Sequence, residues 1–153
     1  MKHVFLDTNI LLDAVLQRDG GEFANRIFQL GDEGEIILCA SCLSYVNIAF
    51  ILRRHPQEEI YLYERMLREG VDVLPMNVAQ LDAALSHPVR DFEDMMQYLC
   101  AKAANCDVIV TNNKRDFEEF SDLPVMTAGE FLKSFEEDNK LKFISAGTRG
   151  LSR

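Results

Sequence analysis

No stretch of this sequence is apolar for long enough to span a bilayer, which takes about 20 residues. Nor does the chain open on a signal peptide: Met1, Lys2 and His3 lead straight into Val4, with no apolar leader core and small-residue cleavage site. The protein is therefore expected in the cytoplasm, away from any membrane. Basic residues are scarce. The 16 Lys and Arg stand against 25 Asp and Glu, a formal net charge of −9, which argues against capture of nucleic acid by bulk charge. It leaves room for a nuclease whose clustered carboxylates hold a metal and whose local basic rim holds phosphates. Cysteine is sparse as well. Cys39 and Cys42 form C-x-x-C, but Cys100 and Cys106 are too widely spaced for the second close pair of a zinc site. A thioredoxin-like pair is conceivable because Cys42 falls near a helix start. The plainer reading makes all four small apolar residues at a strand end and on helix faces. A Gly-rich first turn is missing, which removes the dinucleotide-binding folds, and no repeat recurs at a fixed period.

What is present is a chain of 153 residues, 48% hydrophobic, enough for one domain with a sizeable core. Val4-Phe5-Leu6 is a short apolar run of the kind buried on both faces of a parallel sheet. Asp7 ends it, and Asn9–Leu16 continues as a helix. A second helix carries Phe23, Ile27, Phe28 and Leu30 on one side and stops between Gly31 and Gly34. Ile36–Cys39 is strand two. Ser41 caps a third helix to about Arg54, with Leu43, Val46 and Ala49 or Phe50 inward. Pro56 opens a fourth helix ending near Gly70. Val71–Leu74 is strand three. Asn77 caps a fifth helix with Leu81, Ala84 and Leu85 inward. Asp91–Asn105 is a sixth, with Met95, Leu99 and Ala103 inward. Asp107–Val110 is strand four, Asp116–Phe120 a helical turn, and Pro124–Met126 strand five. Thr127 caps a last helix to about Phe135, and residues 136–153 read as a loosely ordered tail. Five apolar strands alternating with helices make an α/β fold with a parallel sheet covered on both faces.

In such a sheet, ligands sit beyond the carboxyl ends of the strands. Asp7 stands at the end of strand one, where it is either a helix cap or a site carboxylate. A helix that precedes a parallel strand starts at the same edge. This brings Asp91-Phe92-Glu93-Asp94 there, with Asp91 and Asp94 about 60° apart on one helix face. Asn112, Asn113 and Asp116 follow strand four, and Asn47 lies about two turns into the third helix. Carboxylates crowded together repel and raise each other's pKa. A hard divalent cation such as Mg²⁺ or Mn²⁺ relieves that repulsion through oxygen ligands.

Three pieces together resemble the PIN domain, a family of Mg²⁺/Mn²⁺-dependent ribonucleases that includes VapC-type toxins. They are Phe5-Leu6-Asp7-Thr8-Asn9, Asp91-Phe92-Glu93-Asp94-Met95-Met96-Gln97-Tyr98, and Val108-Ile109-Val110-Thr111-Asn112-Asn113-Lys114-Arg115-Asp116-Phe117. The resemblance runs from Met1 to about Phe135, so residues 1–135 form the PIN-like domain. It implies a three-layer α/β/α sandwich with a five-stranded parallel sheet of order 3-2-1-4-5. It also implies that Asp7 and Asp94 are the catalytic acids and metal ligands, with Asp91 and Asp116 as further ligands. Asn9 and Thr111 resemble the polar residues that position those carboxylates. Asn47 falls near the position of a second family acid and Asn113 at that of a fourth, and both are amides here. Lys114, Arg115 and Arg90 are the candidate RNA contacts, while Arg53 and Arg54 read as solvated surface charge. The implied partners are RNA, an antitoxin protein and, in a homodimer, a second copy of the chain.

The resemblance thus implies an endoribonuclease, with a toxin role in a toxin–antitoxin pair. The two amides support a second reading, a PIN module that binds RNA or protein without cleaving. Phosphoryl transfer to Asp7 fits poorly. Haloacid-dehalogenase-like enzymes need a second Asp two residues on, where this chain has Asn9. Receiver domains need an acceptor Asp after strand three, where it has Pro75-Met76-Asn77.

Overall fold

Val4, Phe5 and Leu6 are completely buried, and their side chains alternate between two cores. Val4 and Leu6 point to one face of the sheet and Phe5 to the other, as the two-residue period of a strand requires. This strand, β1 (Lys2–Leu6), is the centre of the sheet in a computed structural model that describes residues 1–149. The remaining strands are β2 (Ile36–Ser41), β3 (Asp72–Leu74), β4 (Val108–Val110) and β5 (Val125–Met126). All pair in parallel, in the order β3-β2-β1-β4-β5. The expected strand order therefore holds.

Helices α1 (Thr8–Leu16), α2 (Gly21–Asp32), α3 (Cys42–Ile51), α4 (Gln57–Gly70) and α8 (Ala128–Arg149) supply the apolar side chains of the Val4 and Leu6 face, among them Ile10, Leu11, Ile27, Ile48, Leu67 and Phe131. Helices α5 (Val78–Ser86), α6 (Phe92–Ala103) and α7 (Lys114–Glu118) cover the Phe5 face through Ala84, Met95, Tyr98 and Phe117. The result is three layers, α/β/α. Gly21 opens α2 where a Cβ would lie 2.8 Å from the backbone oxygen of Asp13. A larger residue would push α1 and α2 apart.

Several local expectations are corrected. On α3, Val46 and Phe50 are 65% and 64% exposed, and the inward side is Ser44, Ile48 and Leu52. Polar Ser44 is tolerated inside because other buried polar groups satisfy its hydroxyl. On α5, Leu81 and Leu85 are exposed and Gln80 and Ala84 face inward. Phe23 of α2 and Ala103 of α6 are also exposed. The expected loose tail over 136–153 is instead helical as far as Arg149, and residues 150–153 lie outside the described residues. Extending a formed helix fixes only one more residue per hydrogen bond. The first half of α8 is anchored by Phe131, Leu132 and Phe135, and Asp138 pairs with Lys2 at 2.8 Å. The four cysteines are free. Cys39, Cys100 and Cys106 are buried and Cys42 is exposed.

Candidate metal centre

The end of β1 is fixed by the sheet itself. The Asp7 backbone N–H donates to the Val110 carbonyl at 3.0 Å, so Asp7 stands beside the end of β4. Its side chain is doubly held. Oδ1 accepts from the Thr8 N–H at 2.8 Å, capping α1, and Oδ2 accepts from the Thr111 hydroxyl at 2.7 Å. The cap and the site are thus not alternatives, because one carboxylate serves both. Thr111 is fully buried, and its oxygen also accepts from the Asn113 N–H at 3.0 Å.

The second set of acids enters from α6, which starts at the same edge. Asp91 is its N-cap, with Oδ1 accepting from the Asp94 N–H at 3.1 Å. Asp91, Glu93 and Asp94 each place a carboxylate oxygen within 4.8 Å of the others. Asp94 is 5% exposed and Asp7 is 3% exposed. Together with Thr8, Asn9, Asn47, Phe50, Ile51 and Asn113, these acids line a cavity of about 280 Å³. No Lys, Arg or His is among the lining residues.

The electrostatic consequence is direct. Burial, then the charges of Asp7, Asp91 and Glu93, push the Asp94 carboxyl up to about 8. Burial also raises Asp7 to about 6, against the Thr111 hydrogen bond, with Glu93 and Asp91 adding to the rise. Buried hard-oxygen ligands with no cation among them fit a hard divalent ion such as Mg²⁺ or Mn²⁺.

Not every expected site residue joins this group. Asp116 lies on the first turn of α7, past the bend at Asn112. It lines a neighbouring groove with Asn112, Asn113, Lys114, Arg115 and Glu118 instead of the acidic cavity. Lys114 is shared between Glu118 at 3.5 Å and Glu130 at 3.2 Å. Arg90 is exposed and precedes Asp91 directly. Arg53, read as solvated, stacks its guanidinium 4.2 Å from the centre of the Phe50 ring, which itself lines the cavity. Glu93 and Gln97 are the residues that sequence reasoning leaves out. A signal for them existed: Ser41, Ser44 and Asn47 recur every third residue along an otherwise apolar helix, and Glu93 and Gln97 are one turn apart.

A parallel sheet of this order, with buried acids over its β1–β4 edge, defines a PIN-like α/β/α protein. The sequence profile described as "PIN domain" matches residues 3–115. The chain belongs to the PIN-domain family, which consists of nuclease-type hydrolases. No curated protein matches it in sequence. Among solved structures, it is similar to a chain of VapBC2 from Rickettsia felis bound to a DNA fragment from its promoter. The TM-score is 0.61 and the identity 15%, over 80% of this chain and 96% of that one. A chain of VapBC-1 from nontypeable Haemophilus influenzae gives 0.61 and 22%, over 83% and 98%. A chain of FitAB bound to an IR36 DNA fragment gives 0.57 and 15%, over 82% and 94%. At these identities the likeness concerns the fold.

Proposed function

We propose that this chain is a Mg²⁺- or Mn²⁺-dependent endoribonuclease and the toxin of a toxin–antitoxin pair. The observation that carries the reading is the acidic cavity, in which buried Asp7 and Asp94 converge with exposed Asp91 and no cationic side chain lines the wall. When bound, a divalent ion would activate water and stabilise charge developing on a phosphate. The chain's own part is positional. Thr111 and the Thr8 N–H hold the Asp7 carboxylate in one orientation at a rigid strand end. Asp91 fixes the first turn of α6 and with it Asp94. Asn9 and Asn113 line the cavity with amides that can hydrogen-bond water or phosphate oxygens. For the RNA backbone, Arg115 lies in the adjoining groove, Arg53 over Phe50 at the cavity wall, and Arg90 next to Asp91. Lys114 must leave two glutamates to reach a phosphate.

The likeness to VapBC and FitAB structures supports an antitoxin as the protein partner. Exposed Val46, Phe50, Tyr61, Leu62 and Met66 on α3 and α4 give a protein partner apolar side chains to cover, whether antitoxin or second copy. No helix among the described residues is long and apolar enough to cross a membrane.

The second reading, a binding module without cleavage, is favoured by Asn113, an uncharged residue at the position where many PIN domains carry an acid. Incubating purified protein with single-stranded RNA decides between the two. A nuclease cuts with Mg²⁺ or Mn²⁺, stops with chelator, and is abolished by Asp7→Asn. Wild-type protein that binds RNA but cuts none under any divalent ion leaves the binding module standing.

A further inference from the structure

Asn47 sits on α3 near the position where many PIN domains carry an acid, and its amide nitrogen is engaged. Asn47 Nδ2 donates to Glu93 Oε1 at 2.7 Å, across from α3 to α6. Gln97 is completely buried one turn further along α6, and its Nε2 donates to the same oxygen at 2.7 Å. Gln97 is itself fixed from three elements. Its Oε1 accepts from the Ser41 hydroxyl at the end of β2. Its Nε2 also reaches Ser44 Oγ of α3 at 3.0 Å, and Ser44 accepts from the Thr8 hydroxyl of α1 at 3.0 Å. A carboxylate clamped by two amides, one of them so anchored, does not swing freely in solvent.

Both amide donors fall on Oε1. Glu93 also offers a carboxylate oxygen within 4.8 Å of those of Asp91 and Asp94. Among the described residues, no N–H or hydroxyl is recorded donating to the Asp94 side chain. Its carboxylate instead has those of Asp91 and Glu93 within 4.8 Å. Two carboxyls that face each other in a cavity wall with no cation are relieved by a proton or by a metal ion.

We infer that Glu93 supplies the metal-site carboxylate that the chain lacks on α3, and that Asn47 is the clamp that holds it there. The inference rests on the metal-site reading above and assigns a further ligand to it. The charge has moved from α3 to α6, and the amide left on α3 has become its donor. An acid on both helices would set two carboxylates at hydrogen-bond distance with no donor between them. Asp91 is less suited to the role, because its side chain is exposed and no amide from α3 holds it.

The test is Mn²⁺ binding to the full chain, by calorimetry and by the paramagnetic resonance signal of free Mn²⁺. Glu93→Gln keeps an oxygen that can accept from Asn47 and Gln97 and removes only the charge. It should weaken Mn²⁺ binding by at least about tenfold, without lowering the metal-free melting temperature. The double variant Asn47→Glu with Glu93→Gln returns the charge to α3 and should bind to within a few-fold of wild type, whereas Asn47→Glu alone should lower the metal-free melting temperature. Glu93→Gln that binds as tightly as wild type, while Asp94→Asn does not, overturns the assignment and leaves the metal site intact. A folded double variant as weak as Glu93→Gln overturns the exchange between helices. Wild-type protein that takes up no Mn²⁺ overturns the metal-site reading itself.

Discussion

The Thr111 hydroxyl donates to Asp7 Oδ2 at 2.7 Å, joining the ends of β4 and β1 at the base of the acidic cavity. The same oxygen accepts the Asn113 N–H, so one buried threonine orients both the carboxylate and the loop that follows β4. Thr111→Val keeps the shape and removes both contacts. It should weaken Mn²⁺ binding by about 10- to 100-fold, the usual cost of losing a group that orients a ligand. Stability should fall by only about 1–3 kcal/mol. Binding isotherms and melting curves on the same samples separate the two effects. Affinity unchanged in the variant would mean that Asp7 needs no such support.

Stability should also depend on pH in a definite direction. Asp94 and Asp7 titrate at about 8 and about 6 in the folded chain, against an ordinary 3.8. Between those values the folded state holds protons that the unfolded state has released, so stability falls as pH rises. The metal-free protein should therefore lose melting temperature as pH climbs from about 4 to about 8. Glu64, raised to about 7 by burial, adds to the same trend. Asp94→Asn isolates the site's share by flattening the slope. Added Mn²⁺ should stabilise more as pH rises, because it binds ionised carboxylates. Parallel slopes for wild type and Asp94→Asn would show that this carboxyl does not titrate in the window.

Asn113→Asp places a carboxylate at the cavity wall where many PIN domains carry one. Asp116 lines the neighbouring groove, which Asn113 joins to the cavity. The substitution should tighten Mn²⁺ binding and raise the rate of RNA cleavage, and it should lower the metal-free melting temperature by adding a like charge. A single-turnover assay with a Mn²⁺ titration checks both. A slower enzyme with weaker metal binding would mean that four acids already saturate the site.

Gln97 is completely buried, and its amide is bonded to Ser41, Ser44 and Glu93. Gln97→Leu fills the same space and strips these groups of their partner. It should destabilise the protein by about 1–3 kcal/mol for each buried group left unsatisfied. Denaturant unfolding measures this. A variant as stable as wild type would show that water replaces the amide at no cost.

Much of this molecule was legible in one dimension. Val4-Phe5-Leu6 and Val108-Ile109-Val110 read as buried strands because both faces of a parallel sheet are apolar. The acids at Asp7, Asp91 and Asp94 could be placed at one edge because every helix that precedes a parallel strand begins there. The inward sides of α3 and α5 were not legible. Apolar periodicity selects Val46, Phe50, Leu81 and Leu85, all of which are exposed, whereas polar Ser44 and Gln80 are buried. Hydropathy ranks a residue alone, but a serine or glutamine can face inward when its partners arrive from other elements. Where Asp116 falls was not legible either: it follows Asn113 by three residues and lines the adjoining groove.

The sequence by itself determined the order of elements, the parallel sheet they form and the edge at which its acids collect, because these follow from local patterns and chain connectivity. Only the tertiary structure decided which polar groups meet. That Asn47 on α3 clasps Glu93 on α6, 46 residues on, depends on how the two helices pack and on the buried Gln97 one turn along α6. A hydrogen bond a few ångströms long is set by the sum of all the packing around it. No periodicity in the chain encodes that distance.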